Sequence, residues 1–541
     1  MTPDPDPDPT PTPDPAPTLD LLRDLFGDHD RWRASCTGVP PAGPSPGARA
    51  LLRDLSARLA RDSTPWPAPG HLSHMTADTP LDVTLAYLCA LLYNPNNIAP
   101  EASPVTTELE HEVARDLCRL VGYGPTTGWA HLCSGAHAAG YEALWIARTL
   151  RTLPQAAARH PAARDLVAGL DPVRLHNLPY RQTLDLLQQL ERRGLLSEVR
   201  RPAAGPARST LLIGRNAHYS WEKAADLLGL GGDEVERVRL DSHARLDTAD
   251  LAARVHRLLR AGRPVLAVVA TLGSTAEGAV DDLPAVLRLR EECERRYGAS
   301  FYVHVDAAYG GYFRTVCLDG EGEPLPYEQL AAPLKPEVHA ALCALPGADS
   351  VTVDPHKCGR APYPAGALVL RDRRAAEAVA TRPGYFAPRA GEPMLFAPYT
   401  LEGARPGAAA AAVWAAHRAV GLFDGGYGRL LGGCLDSARV LYESFADEGG
   451  HERGDGAALV GRRPPDLSIV NFALKSGGSV DGPLLDRLSR HGVWGSVCSP
   501  SGEEGTHTLL RMCVMDPLDT PGRARVVRAL RAAPTGVPAG V

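Results

Sequence analysis

No stretch of the 541 residues is apolar for long enough to span a bilayer, and the N-terminus lacks the basic-then-apolar order of a signal peptide. The expectation is a cytoplasmic protein with no membrane partner. Charge of one sign is also missing. The 57 Lys and Arg stand against 63 Asp and Glu, a formal net charge of −6 with both signs interspersed, which gives no footprint for nucleic acid. Nor is there a CxxC pair. The 11 cysteines are an odd number scattered from Cys36 to Cys513, a pattern for a reducing compartment rather than a disulfide framework or a zinc knuckle.

What is present is enough chain for two or three domains. Residues 1–18, MTPDPDPDPTPTPDPAPT, form a Pro/Asp tract that cannot bury apolar surface and is expected to be disordered, as is a short flexible tail at 536–541. Residues 19–92 read as a helical segment: LDLLRDLF and ARALLRDLSARLARD repeat leucine or alanine at helical spacing. Such helices suit either a clasp on a partner subunit or a cover for the core. The abundance of Ala, Arg, Gly and Pro carries no functional reading.

The chemistry-bearing stretches begin after Tyr93. In YNPNNIAPEASPVTTELEHEVARDLCRLVGY the Asn/Pro cluster is loop chemistry, and a helix starts at Ser103-Pro104. In WAHLCSGAHAAGYEALWIARTL an apolar run ends at Ser134, Gly135 and Ala136 and a helix follows; such a loop offers backbone N–H groups and a positive dipole end to an anion, as many strand-to-helix turns do. Leu150 to Arg208 reads as a helical excursion, with leucines at helical spacing in LHNLPYRQTLDLLQQLERRGLL. In STLLIGRNAHYSWEKAADLLGLG, His218 stands at a strand end, where an imidazole can stack on a planar ring; the plainer reading is a helix N-terminus capped by Ser220.

Two buried runs, VLAVVAT and FYVHVD, alternate with helices and imply a parallel sheet whose ligands gather at the carboxyl ends of its strands. Asp306 is at one such end, either as a cap or as a carboxylate facing a ligand. SVTVDPHKCGRAPYPAGALVL, Ser350 to Leu370, is two strands around a proline-broken turn that carries His356 and Lys357. A lysine beside a strand end is either a solvated turn residue or one kept for covalent chemistry with a carbonyl. Further on, Thr400 to Phe423 starts an alanine-rich helix. DLSIVNFAL and THTLLRMCVMDPL supply strands, with the helix DGPLLDRLSRHG between them. Arg511 lies on the second of these strands, where a guanidinium wants an anion: a substrate carboxylate, or Asp516 as a structural partner.

The wording from Tyr93 to about Phe423 resembles the group II decarboxylases that depend on pyridoxal 5′-phosphate (PLP), especially the bacterial tyrosine decarboxylase branch. The strings that carry the likeness are NPN…EASPVTT.LE, HYSW.KA.D.LG, HVDAAYGGY and the DPHK turn; that branch has a similar LxNL insertion as well. The resemblance implies an α/β fold of the aspartate-aminotransferase-like kind (fold type I), and a homodimer with sites at its interface. It implies a large PLP-binding domain over 93–370, built on a mostly parallel sheet and carrying the insertion at about 150–208. A lid segment and a smaller C-terminal α+β domain would occupy 371–535.

It also implies roles. Lys357 forms the Schiff base, His218 stacks on the ring, and Asp306 pairs with the ring nitrogen. Ser134, Gly135, Ala136, His137, Thr271, Ala308 and His356 complete the cofactor site. Arg511 and Tyr385, the latter in the lid segment TRPGYFAPRAGEPMLFAP, face the substrate. Tyr363, six positions after the lysine, returns the proton to Cα, with Tyr385 as the rival acid. The phosphate loop departs from the family's usual SGGT.AN: Ala136 replaces Gly, His137 stands where a hydroxyl is usual, and Gly140 stands where Asn is. A protonated His137 is one replacement donor. The expected reaction is decarboxylation of an L-amino acid to an amine and CO2, tyrosine or another aromatic first, with aspartate, glutamate or valine fitting the same frame. The alternatives are another PLP reaction, such as aldehyde formation or transamination, or a non-catalytic PLP-binding protein.

Overall fold

The computed structural model describes residues 14–40, 42–200, 209–382, 395–423, 425–446, 458–474, 478–499 and 507–533. Seven strands form its principal sheet: β1 (Trp129–Cys133), β2 (Thr210–Gly214), β3 (Val235–Val238), β4 (Val265–Thr271), β5 (Tyr302–Asp306), β6 (Ser350–Val353) and β7 (Gly366–Leu370). They lie in the order β1-β7-β6-β5-β4-β2-β3. β7 runs antiparallel to both neighbours, and every other pair is parallel. This is the mostly parallel sheet expected of the α/β class.

The strands read as apolar runs because both faces are covered. All seven residues of β4 are buried; Val268 and Ala270 share a core with Leu251 and Val255 of helix Thr248–Arg260 on one face, whereas Ala267 and Val269 share the other core with Leu144 and Ile146 of helix Ala136–Arg159. Register then aligns the strand ends. Asp306 stands opposite Thr271 of β4 and Thr352 of β6, so three carboxyl ends finish level.

A second sheet, all antiparallel, contains β8 (Leu459–Gly461), β9 (Ile469–Leu474), β10 (Ser496–Cys498) and β11 (Leu509–Cys513) in the order β10-β11-β9-β8. Its own core holds Phe472, Leu484, Leu488, Leu510 and Met512. A bidentate pair ties it to the large sheet's connections: Arg245 donates to both oxygens of Asp466 at 2.8 and 2.7 Å. The N-terminal part of the chain also docks here, since Leu72 N–H donates to Trp494 O (2.9 Å) and Cys513 N–H to Leu72 O (2.7 Å). That contact brings residues near 74 to the end of β11.

Three expectations need correction. The first helix spans Ala16–Thr37 and so begins inside the tract 1–18; Pro17 sits in its first turn, where a missing N–H costs nothing. Helix Ala136–Arg159 runs straight past Leu150, so the excursion proper starts beyond it, with Pro172–His176, Tyr180–Arg192 and Leu196–Arg200. The excursion is part of the core. Leu184, Leu187 and Leu190 are buried in the core on the second side of the sheet, where their helix packs on helix Ala136–Arg159, and burial of such side chains stabilises by about 1.5–3 kcal/mol each. Finally, Ser220 is the first helical residue and not the cap; the acceptor at that helix start is the His218 imidazole, whose Nδ1 lies 3.3 Å from Ser220 N.

Candidate active site

The carboxyl ends of β4, β5 and β6, the loop after β1 and the near edge of the second sheet enclose a cavity of about 460 Å3. Ser134, Gly135, Ala136, His137, His218, Thr271, Asp306, Ala308, His356, Lys357, Tyr363 and Arg511 all line it. Of the residues singled out from sequence, Tyr385 alone lies outside the described residues.

Lys357 is carried by the turn between β6 and β7, which pair with each other from Ser350↔Leu370 to Val353↔Ala367 and so hold the turn at a fixed height. Its ammonium lies 3.0 Å from Asp354 Oδ2. Burial pulls the Lys357 pKa down, but the charge and hydrogen bond of Asp354, with Asp306 behind, outweigh it and leave the amine above its ordinary value. The loop after β1 reaches this turn because Gly366 has no side chain: a Cβ there would fall 2.3 Å from Gly135 Cα. His356 packs in the same corner, with its ring 4.0 Å from that of Tyr363 and stacked on it. Tyr363 is itself 56% exposed.

On the opposite wall, Asp306 Oδ2 accepts from the indole of Trp221 at 3.0 Å, and Oδ1 from Ala308 N–H at 3.3 Å. His218 Nδ1 is 2.9 Å from Ser220 Oγ, and its ring meets that of His137 edge-on with centroids 4.9 Å apart. Burial lowers the pKa of His218 against the raising effect of Asp306; burial, then Lys223, lowers that of His137. The shift leans toward the neutral ring, which keeps one N–H donor, and away from the protonated donor expected. Ser134 brings a second correction of detail: its backbone N–H is already given to Glu402 Oε2 (2.9 Å), which leaves its hydroxyl and the N–H groups after it for an anion.

Arg511 reaches the cavity from β11. Its Nη1 donates to Ser73 O at 3.0 Å and to Ser496 Oγ at 3.3 Å. Asp516, the structural partner considered from sequence, pairs instead with Arg360. Among the described residues Arg511 therefore pairs with no carboxylate. Beside it stand His74 and Met75, which the sequence reading missed. His74 Nδ1 is 2.8 Å from Ser73 Oγ, and burial together with Arg511 lowers its pKa. Nothing in GHLSHM marks a site; only its meeting with β11, across a separation of 438 residues, does so. Trp221 was legible as part of HYSW, but its bond to Asp306 was not.

Residues 197–317 match the pyridoxal-dependent decarboxylase conserved domain. Over 503 residues the chain is 35% identical to an L-tyrosine decarboxylase of Levilactobacillus brevis, a match covering 87% of this chain and 79% of that one. The same identity holds over 509 residues with an L-tyrosine decarboxylase of Enterococcus faecalis, covering 88% and 81%. The chain belongs to the pyridoxal-dependent decarboxylases, in their bacterial tyrosine decarboxylase branch. Solved structures of the same fold include Oryza sativa TDC with PLP and tryptamine (TM-score 0.67, 19% identity, 97% of this chain and 99% of that one) and mouse CSAD (TM-score 0.66, 20% identity, 96% and 99%). The fold is thus fold type I.

The cavity of this decarboxylase suits PLP on its own evidence. Asp354 Oδ1, His356 Nδ1 and Arg511 Nε are buried polar atoms with no hydrogen-bond partner among the described residues, and such atoms are costly unless a ligand meets them. A lysine, a carboxylate at a strand end and the N-terminus of helix Ala136–Arg159 converge on the same space. They match an aldehyde, a pyridine nitrogen and a phosphate in turn.

Proposed function

We propose that this PLP-dependent amino-acid decarboxylase removes the α-carboxylate of an aromatic L-amino acid, L-tyrosine first, to give the amine and CO2. The observation that carries the reading is the convergence on one cavity of Lys357, Asp306 and Arg511, whose Nε has no hydrogen-bond partner among the described residues. The aromatic preference is supported by the likeness, over most of the chain, to the L-tyrosine decarboxylases of L. brevis and E. faecalis. Bound PLP supplies the sink for the electron pair left at Cα when the carboxylate departs.

The protein's residues do the rest. Lys357 would hold the cofactor through its aldehyde. Asp306 keeps the ring nitrogen protonated, and His218 takes the ring face. Ser134, Gly135, Ala136, His137, Thr271, Ala308 and His356 form the remaining bed of the cofactor, the helix N-terminus facing its phosphate. Arg511 forks onto the substrate carboxylate and orients it, and Tyr363 gives the proton to Cα. In this reading a body ending near residue 370 holds the cofactor, and the part from 371 to 535 contributes Arg511.

The working unit is proposed to be a homodimer in the cytoplasm. Helix Ala48–Asp62 buries none of its residues, and Leu51, Leu52, Leu55 and Leu59 on it are 69%, 61%, 49% and 55% exposed, an apolar stripe that a second copy would cover. All 11 cysteines are free thiols, which suits a reducing compartment. Among the described residues no helix is long and apolar enough to cross a membrane.

An acidic substrate is the second reading, favoured by the matches to probable aspartate and aspartate/glutamate decarboxylases of Pyrococcus at 31% and 32% identity. The test is product analysis: purified protein with PLP, offered each common L-amino acid separately, followed by mass spectrometry for loss of CO2. Tyramine as the main product supports the proposal. An amine from aspartate or glutamate alone replaces the substrate, and an aldehyde or keto acid without amine overturns the reaction.

A further inference from the structure

The segment HYSW does two jobs one turn apart. Trp221 N–H donates to His218 O at 3.1 Å, so the chain folds back on itself between the residue at the ring-stacking position and the tryptophan. Trp221 is only 2% exposed, and its indole N–H donates to Asp306 Oδ2 at 3.0 Å across a separation of 85 residues. The indole has little room to move. Its benzo edge faces Gly140, where an added Cβ would lie 3.3 Å from Cη2. On another side it meets the His304 ring at 5.0 Å. Both His304 nitrogens are occupied by hydroxyls of β6, Ser350 at 2.7 Å and Thr352 at 3.1 Å. Burial lowers the His304 pKa to about 4, so this neighbour is neutral at pH 7 and does not draw the Asp306 carboxylate toward itself as a cation would.

We propose that Trp221 is a positioning residue for the cofactor's ring nitrogen: its indole N–H fixes the rotamer of Asp306, and Gly140 is the notch that admits the indole. A hydrogen bond from a buried neutral donor to a carboxylate is among the stronger kinds. It leaves the second oxygen, held by the Ala308 N–H at 3.3 Å, turned by the same constraint. Gly140 stands where the family's usual loop has Asn. In this chain that position serves the nitrogen end of the site through Trp221, not the phosphate end through a side chain. The inference rests on the reading of Asp306 as partner of the ring nitrogen.

The test compares PLP with its carbocyclic analogue, in which CH replaces the ring nitrogen, by equilibrium dialysis against apoprotein. The ratio of the two dissociation constants reports on the nitrogen alone, so general damage to the fold cancels. For the natural sequence the analogue should bind at least about tenfold more weakly, the worth of one charged hydrogen bond; in Trp221→Phe the ratio should fall to about threefold or less. If Trp221→Phe does not fold, Gly140→Ala carries the test. It presses a methyl on the indole edge and should give an intermediate ratio. No discrimination by the natural sequence would mean the Asp306 reading is wrong. Full discrimination retained by the folded variant would leave Asp306 intact and overturn the role of Trp221.

Discussion

The two ends of the cavity are built by different means. At the cofactor end, Thr271, Asp306 and Lys357 come from consecutive strands of one sheet, and their heights are set by backbone register. At the far end, Arg511, His74 and Met75 come from the second sheet and from a segment docked on it, and they meet through side chains and one carbonyl. The first end is rigid because moving one of its residues means breaking a ladder of strand bonds. The second depends on how two bodies sit together, so it is the natural place for substrate preference to vary while the chemistry stays the same.

This contrast predicts that lesions at the two ends separate. The largest effect belongs to Lys357→Ala: turnover, followed by CO2 release, should be abolished, and borohydride should no longer fix the cofactor to the protein. An active Lys357→Ala protein would end the assignment. Next is Arg511→Met, which removes the proposed fork for the substrate carboxylate but touches nothing at the cofactor end. Loss of a charged hydrogen bond of about 1.5–3 kcal/mol should cut kcat/KM by about 10- to 100-fold. The dissociation constant for PLP should stay within about twofold, because Arg511 bonds to Ser73 and Ser496 and to no group at the cofactor wall. A matching loss of PLP affinity would show that the two ends are not independent.

Legibility in the sequence follows the same division. Buried parallel strands are apolar runs, so VLAVVAT, FYVHVD and the pair around Lys357 announced the sheet, and the polar residues just past their ends announced His218, Asp306 and Lys357. The far end had no such signal. Arg511 was visible as an arginine on an apolar strand, yet its choice between a ligand and Asp516 needed the position of Arg360. His74 was invisible, because a histidine in a loop has no periodicity to stand out from. Helix Ala136–Arg159 reads from sequence as ending near Leu150 because Pro154 and the alanine-rich composition around it blur the pattern, while the folded helix accepts the proline in a buried stretch.

A smaller effect, and a sharper one, concerns Asp354. Its carboxylate raises the Lys357 pKa above the ordinary lysine value against the pull of burial. Asp354→Asn removes the larger of the charges that oppose burial and leaves Asp306 and Tyr363, so the pKa should fall and more of the amine should be neutral near pH 7. Capture of PLP by the apoprotein, followed by absorbance, should then become faster at neutral pH, and the rise of its rate with pH should move to lower pH. An unchanged profile would mean that Asp306, the next charge in order, controls the lysine.

The smallest expected effect is at His137, and it bears on how the phosphate end tolerates an unusual loop. Burial and Lys223 hold this imidazole toward its neutral form, so replacing it removes one N–H donor and no charge. The N-terminus of helix Ala136–Arg159 remains, and with it the backbone groups and dipole that favour an anion. His137→Thr restores a hydroxyl at the same position, one donor for another. Affinity for PLP should therefore hold or tighten, by no more than about threefold on the scale of a single neutral hydrogen bond, with kcat little changed. The ring also meets His218 at 4.9 Å and Tyr219 at 5.3 Å, contacts that lie on the side of the ring stacker. If kcat collapsed while the affinity held, those contacts and not the phosphate would be the reason a histidine stands there, and the cofactor end would extend one residue further round the cavity than its strand register requires.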